Sequence, residues 1–542
     1  MKNMKSNKRN KTPIGIDEPL LHADHARPVS RRDFIRQGFL GGSASILGGS
    51  LLGLFANPRE AQAALTEDMR LLAKDIGCNF GVEGGNVPFI SFDLAGGANF
   101  AGSNVLVGGA GGQNDGTITT AGYSKMGIPG DMVPGLDSSA FTLLNLSTNN
   151  DFVNDQLGMQ FHADSALLNG ILEKVGAALG NIDGVVIPAR SDNDTGNNPH
   201  SPLYGIAKAG GQGSVVDLIG SRSSDSGGNS MAPADMINPE VRPTKVDRPS
   251  DVTGMVDVGN LTSILSDPAD VTAVMQSMAR ISHKKMKLGT VSTGLTPSKD
   301  EIVKDLVRCG YLKAADLANR FAGVPVDPLA DTNIVDDASG IFSVAEMGDG
   351  EFRKTASVMK MVLNRYAAGG CITMGGYDYH TGDRQAGENR DRRAGRCIGA
   401  CLNYAQRLNS PLMIYVYSDG SVASNGRRDE SPDNGTQLGG RGKGEWTGDN
   451  SSTACSFILV FNPVAKPVPL ITGRQIGRFS SDASVITSSS PAANNVNLLV
   501  NTVLLNYMSL SGNIGQFTST FPNHGLGSGT SYEQYVAFNS II

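Results

Sequence analysis

The residue types best suited to chemistry lie in one short segment, Cys371–Arg384, which reads CITMGGYDYHTGDR. A short apolar run ends at two glycines, and Asp378 and His380 follow, two positions apart. Side chains two apart in an extended segment point the same way, so this carboxylate and this imidazole could both reach one divalent ion. A polar turn that follows a buried strand would explain the same residues without a functional site.

Other polar residues occupy equivalent places beside the apolar runs of the chain. They are Asp93 and Asn99 after Val87–Leu94, His200 after Val185–Pro188, Asp419 after Leu412–Tyr417, and Asp449 and Asn450 before Ser456–Phe461. In open α/β sheets, ligands bind at the carboxyl ends of the strands, so we expect these side chains to meet at one edge of a sheet. The predicted metal ligands are Asp378, His380, Asp419 and Asp449, and the further pocket candidates are Asp93, Asn99, His200 and Asn450.

The apolar runs and the segments between them indicate the elements that would position these residues. The four runs above and Cys371–Met374 are apolar on both faces, which is typical of strands covered by helices on each side. Helical spacing recurs in Asp164–Leu179, Asp300–Phe321, Phe352–Ala368, Arg392–Leu408 and Asn494–Met508. The second of these patterns looks like two helices broken near Gly310. Helix alternating with strand predicts an α/β fold with a mostly parallel central sheet.

Long loops are expected as well, because the chain contains 68 glycines and glycine is costly inside helices and strands. Residues 64–542 are predicted to form one domain with insertions at about residues 221–330 and 425–452. The second insertion carries cations that could bind anionic groups and an indole that could stack on a ring. These residues are Arg427, Arg428, Arg441, Lys443 and Trp446. A solvated loop would explain the same composition and is the simpler interpretation.

The N-terminus reads as a targeting segment. Ser30–Arg36 (SRRDFIR) resembles a twin-arginine export signal, with Arg31 and Arg32 as the pair, and the apolar stretch Gly38–Ala56 follows it. Ala61-Gln62-Ala63 offers small residues in the A-x-A arrangement, which predicts cleavage after Ala63. A membrane anchor is the alternative interpretation of the apolar stretch. We expect export by the twin-arginine machinery to the periplasm or the medium, with no stable membrane span after cleavage.

The charge of the chain bears on its partners. The full chain has 46 basic and 52 acidic residues, and residues 64–542 retain 36 and 47 of these, a net charge of −11. Such an acidic chain argues against nucleic acid as a partner. It would also repel anionic membranes in general, although a local basic patch could hold an anionic small molecule or polymer.

The six cysteines show no spacing typical of a zinc site. Cys397 and Cys401 lie four apart in a predicted helix, where a disulfide could form after export. Buried free thiols are the alternative for this pair, and the simpler one.

Several of these features together resemble a known family. They are the twin-arginine leader, an early strand ending in Gly96-Gly97-Ala98-Asn99, the corner Gly376–His380, and a later strand ending in Ser418-Asp419-Gly420. The chain resembles an exported bacterial family of unknown function that is related to the alkaline phosphatase and sulfatase superfamily. The corner is the most specific part, being similar to the family's glycine-aromatic-Asp-Thr-His motif. The resemblance implies an α/β/α sandwich of alkaline-phosphatase-like type that binds zinc, manganese or calcium and hydrolyses phosphate or sulfate esters.

The chain departs from this family at two positions. Asn99 stands where many relatives have aspartate, and Asn450 stands where they commonly have histidine. Both exchanges weaken a divalent-cation site, because one removes a charge and the other an imidazole. Two functions are therefore open: a metal-dependent hydrolase of phosphate or sulfate esters, or a catalytically degenerate relative that serves as a binding or assembly protein in the cell envelope or in secretion.

Overall fold

The computed structural model describes residues 65–78, 85–141, 144–191, 198–256, 268–289, 291–321, 326–382 and 384–542. The twin-arginine pair Arg31-Arg32 and the expected cleavage site after Ala63 lie outside these residues. The described residues form two compact units. The first contains residues 65–78 and the described residues between 268 and 321, and the second contains the rest.

The second unit is built on a seven-stranded sheet. The described strands of the chain are β1 (Phe89–Leu94), β2 (Val153–Leu157), β3 (Met159–His162), β4 (Ile182–Pro188), β5 (Val216–Gly220), β6 (Thr244–Lys245), β7 (Ala367–Met374), β8 (Leu412–Tyr417), β9 (Val422–Ala423), β10 (Arg428–Asp429), β11 (Lys443–Gly444), β12 (Gly448–Asp449) and β13 (Cys455–Phe461). The order in the large sheet is β4-β13-β8-β1-β7-β5-β6. Strands β8, β1, β7, β5 and β6 are mutually parallel, and β13 runs antiparallel to both β8 and β4. The prediction of a mostly parallel α/β sheet is confirmed, and each predicted run is one of its strands.

Helices cover both faces of this sheet. The described helices of the chain are α1 (Glu67–Asp75), α2 (Thr120–Lys125), α3 (Ala166–Lys174), α4 (Leu203–Lys208), α5 (Pro249–Val256), α6 (Pro268–Lys287), α7 (Pro297–Phe321), α8 (Gly350–Leu363), α9 (Arg384–Arg407), α10 (Val496–Leu510) and α11 (Phe517–Thr520). Neighbouring glycines of β7 show the two layers. A Cβ on Gly369 would lie 3.4 Å from Ile206 of α4, and a Cβ on Gly370 would lie 2.7 Å from Val358 of α8. The central strand therefore contacts a helix on each side, as expected for an α/β sandwich.

The apolar core explains why the strands lack an exposed face. Every residue of β1, β7, β8 and β13 is buried. On one side of the sheet, Phe89 packs edge-on against Tyr507 of α10, with ring centroids 6.0 Å apart. Met413 and Ile458 belong to the same core cluster. Burial of one such side chain contributes roughly 1.5–3 kcal/mol, so the central strands are the most strongly stabilised part of this unit.

Two helix predictions need correction. Helix α7 runs without interruption through Gly310, so the predicted break there is wrong. Helix α9 begins at Arg384, earlier than the predicted Arg392, because its first turns bury charged side chains that carry no apolar signal. Its first residues are therefore fixed by ion pairs, and it starts directly after the segment that contains Asp378 and His380.

The first unit is a small helical assembly formed by α1, α6 and α7. A disulfide between Cys78 and Cys309 links the end of α1 to α7, and the sequence did not predict this pairing. Cys397 and Cys401 are buried free thiols, as the simpler interpretation held. No helix among the described residues is both long and apolar enough to cross a membrane.

Candidate metal centre

The ends of the central strands bring the predicted residues to one edge of the sheet. The register pairs Leu94 at the end of β1 with Met374 at the end of β7, and Asp93 with Tyr417 at the end of β8. At the antiparallel side, the last residue of β4, Pro188, pairs with the first residue of β13. The segments after β1, β4, β7 and β8 and the segment before β13 therefore share this edge, as expected from the sequence.

The segment after β7 presents its side chains alternately to the core and to the outside. Tyr377 and Tyr379 are buried, whereas Asp378 is exposed and His380 is half-buried. The Tyr377 hydroxyl donates a hydrogen bond to the carbonyl of Arg390 at 2.9 Å, and the Tyr379 hydroxyl accepts one from the Asn99 N–H at 3.0 Å. The two tyrosines anchor the segment, and this alternation places Asp378 and His380 on the same outward side.

Asp378, His380 and Asp449 form a cluster that could hold a metal ion; we call it the metal cluster. The Nε2 atom of His380 lies 2.6 Å from Oδ1 of Asp378 and 3.6 Å from Oδ1 of Asp449. One ligand atom from each residue lies within 4.8 Å of the other two. Asp449 lies on β12, which pairs with β9, the short strand that follows β8 in the chain. Separate segments of the chain therefore build the cluster.

Asp419 is a neighbour of the metal cluster but not one of its three members. Its carboxylate is buried, and its Oδ1 accepts a hydrogen bond from the Gly96 N–H at 2.8 Å. Burial raises the pKa of Asp419. Gly96 has a φ of +127°, and a Cβ there would collide with the backbone nitrogen of Asp378. Asp419 thus holds the glycine turn after β1 tightly against the segment that carries Asp378.

The carboxylate of Asp93 makes hydrogen bonds inside the fold. It is fully buried, and its Oδ2 accepts hydrogen bonds from the N–H groups of Asn229 at 2.7 Å and Ser230 at 2.8 Å. Burial raises the pKa of Asp93 to about 6 although these bonds oppose the shift. Its carboxylate therefore fastens the loop that follows β5, and it does not belong to the metal cluster.

The two asparagines that depart from the family pattern both have structural contacts. The Asn99 amide donates to the carbonyl of Val422 at 3.0 Å, while its buried Oδ1 has no hydrogen-bond partner among the described residues. Asn450 accepts from the Ser452 N–H at 2.8 Å and donates to the Thr453 hydroxyl at 3.0 Å. Asn450 thereby shapes the turn that leads into β13.

His200 is paired with a serine in the interior. Its Nε2 lies 2.8 Å from the Ser191 hydroxyl oxygen, and its ring stacks on Tyr417 at 5.5 Å between centroids. Burial lowers the pKa of His200 to about 3, and its Nδ1 has no hydrogen-bond partner among the described residues. A serine–histidine contact is typical of an activated nucleophile, but a ring whose burial opposes protonation is a poor base. The arrangement favours a structural role.

Sequence reasoning missed a buried ion network, which we define as Asp164, Arg384, Glu388, Arg441 and Lys443. Glu388 accepts hydrogen bonds from Arg441 at 2.7 Å, Lys443 at 2.6 Å and Arg384 at 2.8 Å. Asp164 contacts Arg441 and Lys443, each at 3.0 Å. Burial alone would raise the pKa of Glu388, but these cations lower it to about 2.

The outcome for residues 425–452 is divided: residues 425–437 are mostly exposed, as expected of a solvated loop, whereas residues 438–446 are buried, and the network removes Arg441 and Lys443 as cations that could bind an anion. The side chains of Arg441 and Lys443 are completely buried, and Trp446 is covered by the Arg384 guanidinium at 4.2 Å from its ring centroid. The other two predicted cations also have acidic partners. Arg427 pairs with Glu445 at 3.2 Å and Arg428 with Asp131 at 2.6 Å. The segment is therefore pinned to the domain by charge.

The donor set of the metal cluster determines which ions suit it. One imidazole and two carboxylates suit zinc or manganese, whereas calcium prefers six to eight oxygen ligands. Arg190 is an exposed cation nearby on the strand-end edge, where its Nη2 lies 3.5 Å from the hydroxyl of Ser451, two residues after Asp449.

The chain matches no protein-family model, and a search of curated proteins gives no significant match.

Proposed function

We propose that this chain is an exported, metal-dependent hydrolase-like protein of alkaline-phosphatase-like type that acts on phosphate or sulfate esters. The metal cluster carries the proposal, because an imidazole and two carboxylates lie within reach of one ion at the strand-end edge of the sheet. Ligand sites of open α/β sheets lie at this edge.

The chemistry of the proposed substrate fits the residues around the cluster. Phosphate and sulfate monoesters carry negative charge on their non-bridging oxygens, and a bound divalent ion would neutralise that charge and activate a water molecule. With three protein ligands, positions remain open for water and for an ester oxygen. Arg190 offers an exposed guanidinium that could pair with the same oxygens.

The segment that carries two of the three ligands, Asp378 and His380, is held in place before any ion binds. The two buried tyrosines anchor the Asp378–His380 segment, and Asp419 holds the turn after β1 against it. Preorganised ligands need little rearrangement when the ion binds, which favours affinity. Export by the twin-arginine route, which we include in the proposal, carries folded proteins and would allow the ion to be inserted before export.

Metal content and turnover of the purified, untagged chain test this proposal. We expect one zinc or manganese ion per chain and hydrolysis of p-nitrophenyl phosphate or p-nitrophenyl sulfate. Asp378→Ala and Asp449→Asn should lose both the ion and the turnover. Asp235→Asn removes an exposed carboxylate elsewhere in the same unit and should change neither property. A wild-type chain without bound metal would contradict the proposal.

A second candidate is a binding or assembly protein that keeps the fold without catalysis. The observation that favours it is the use of Asn99, Asn450 and Asp419 for internal hydrogen bonds, which leaves the metal cluster with three members. Stoichiometric metal without turnover of either ester would support this candidate over the hydrolase. Asp378→Ala would then abolish metal binding while every variant remained equally inactive.

A further inference from the structure

Arg390 on α9 differs from the arginines that follow it on the same helix. Three of these each pair with an acid: Arg392 with Glu173, Arg393 with Asp349 and Arg396 with Glu346. The side chain of Arg390 is half-buried, yet its guanidinium makes no hydrogen bond or ion pair with a described residue. A cation that gives up part of its hydration without a partner costs stability, so the position of Arg390 calls for a reason other than stability.

The Arg390 guanidinium lies against the segment that carries the metal cluster. A Cβ on Gly376 would lie 3.2 Å from both Cζ and Nε of Arg390 and 3.4 Å from Nη2. Gly376 has a φ of +89°, so both its backbone conformation and the close approach of the guanidinium favour glycine. Asp378 follows two residues later, a span of about 7 Å in an extended chain. The guanidinium therefore lies beside a proposed metal ligand without being neutralised by it.

Two glycines offer backbone donors at the same place. The N–H groups of Gly375 and Gly376 donate to no acceptor among the described residues, whereas the N–H of Tyr377 donates to the carbonyl of Ala95 at 3.1 Å. Both glycines are exposed, and beyond the chain neighbours no described atom lies within 4 Å of where a Cβ of Gly375 would stand. Backbone N–H groups with a guanidinium beside them are donors that proteins use for phosphate and sulfate oxygens.

We propose that Arg390 and the N–H groups of Gly375 and Gly376 form a site for the phosphoryl or sulfuryl group of the ester substrate; we call it the anion cradle. The planar guanidinium can donate to two oxygens of a tetrahedral oxyanion at once, and the N–H groups can donate to a third. This inference rests on the proposed function, because it names the residues that would hold the charged group of the ester beside the metal cluster.

A purely structural role for Arg390 is the alternative. In that role the guanidinium would hold the glycine segment in place by packing on its backbone. The segment already has two anchors, since the buried hydroxyls of Tyr377 and Tyr379 are hydrogen-bonded to the carbonyl of Arg390 and to the Asn99 N–H. A structural cation in a partly buried place is also expected to have an acid partner, as the later arginines of α9 do. The anion cradle accounts for the missing partner.

Chemical modification of the full wild-type chain tests the cradle without relying on turnover. Phenylglyoxal reacts with arginine side chains, and mass spectrometry of the peptides gives the rate at each position. In chain stripped of metal by a chelator, phosphate or sulfate should slow the modification of Arg390 at least about tenfold relative to chloride at equal ionic strength. Arg248, which is 60% exposed elsewhere in the same unit, should change by less than about twofold. Separate additions of phosphate and sulfate show which oxyanion the cradle prefers.

Variants at the same position separate anion binding from structural support. Calorimetric titration of the metal-free chain should show phosphate binding at least about tenfold weaker in Arg390→Gln, because the charge-assisted hydrogen bonds are lost. Arg390→Lys keeps the charge without the planar fork and should recover only part of the affinity. Both variants should keep the urea midpoint of the wild type, since the guanidinium has no acid partner. Arg248→Gln removes the same charge elsewhere and should bind phosphate within about twofold of the wild type.

Three results would overturn the cradle. They are equal protection of Arg390 and Arg248, protection of neither, and unchanged phosphate affinity in Arg390→Gln. Unchanged affinity together with a lower urea midpoint would identify Arg390 as a structural support.

Failure of the cradle and failure of the proposed hydrolase give different results. A wild-type chain without bound metal or turnover, in which phosphate still protects Arg390, contradicts the hydrolase and leaves the cradle as an oxyanion site. Full turnover by Arg390→Gln with an unchanged KM contradicts the cradle and leaves the hydrolase.

Discussion

The metal cluster and the buried ion network are both groups of acidic and basic side chains, but they differ in how their charges are balanced. In the network, Asp164 and Glu388 face Arg384, Arg441 and Lys443, and the side chains of all five are at most 4% exposed. In the metal cluster, two partly exposed carboxylates face one histidine. The network satisfies its own charges, whereas the cluster leaves negative charge at the surface.

This difference separates a structural role from a binding role. Buried charges are tolerated only when each has a partner with good geometry, and they then resist any rearrangement. A cluster of carboxylates at an accessible edge repels itself unless a cation neutralises it. Arg441 and Lys443 belong to the first kind although the sequence alone suggested that they could bind an anion. Asp378, His380 and Asp449 have the properties of the second.

The largest expected effect comes from removing the central acid of the network. Glu388→Gln should lower the free energy of unfolding by about 3–5 kcal/mol, because Arg384, Arg441 and Lys443 would share a partner that has lost its charge. Urea denaturation of the wild type and the variant measures this change. Glu533→Gln, at an exposed position, should stay within about 0.5 kcal/mol. A small loss at Glu388 would mean that the network is not what pins residues 425–452.

The metal cluster should show the opposite behaviour. His380→Ala should raise the dissociation constant for zinc at least about a hundredfold, because the cluster loses its imidazole ligand. The free energy of unfolding without metal should change by no more than about 0.5 kcal/mol, since His380 packs little into the core. Competition with a chelating dye measures the affinity, and urea denaturation measures the stability. Unchanged zinc affinity would remove the cluster from consideration as a metal site.

The fold was more predictable from the sequence than the site. The five predicted strands are apolar on both faces, and Leu412–Tyr417 matches the observed β8 residue for residue. Strand β5 was missed because Val216–Gly220 contains an aspartate and a glycine, which interrupt its apolar pattern. Strand β6 was missed because it has only two residues. Apolar patterns report burial by contact with other apolar groups, so they identify central strands best.

The site was partly predictable. Strand-end reasoning found Asp378, His380 and Asp449, because position along a strand determines which edge a residue reaches. It could not tell that Asp419 and Asp93 accept backbone N–H groups, since those partners come from distant parts of the chain. The buried ion network escaped for the same reason. Its one local signal was the spacing of Arg384 and Glu388, which are four residues apart in a helix.

A smaller effect concerns the pH dependence of stability beside the network. Burial raises the pKa of Asp391 to about 7 from its ordinary 3.8, with Glu388 adding to the shift. Between about pH 3.8 and pH 7 the folded state therefore holds a proton on Asp391 that the unfolded state has released. This contribution to stability is fully present below about pH 3.8 and is lost as the pH rises to 7. Between pH 5 and pH 8 the wild type should lose about 2–3 kcal/mol relative to Asp391→Asn.

Urea denaturation at both pH values measures this difference for the wild type, Asp391→Asn and the exposed control Asp235→Asn. The control should keep the slope of the wild type. If Asp391→Asn also keeps it, Asp391 is ionised in the folded protein, and the interior beside the network is more polar than its burial indicates.

The smallest expected effect tests the connection between the two regions. Tyr379 lies between Asp378 and His380 in sequence, but its hydroxyl points inward, where it accepts from the Asn99 N–H at 3.0 Å and donates to Asp391 at 3.3 Å. Tyr379→Phe keeps the ring and should cost about 1–2 kcal/mol of stability, because the buried Asn99 N–H loses its partner. Zinc affinity should fall no more than about fivefold, since the remaining contacts still hold the segment. A loss as large as that of His380→Ala would show that the interior hydroxyl sets the geometry of the metal cluster, and that the two regions act as one.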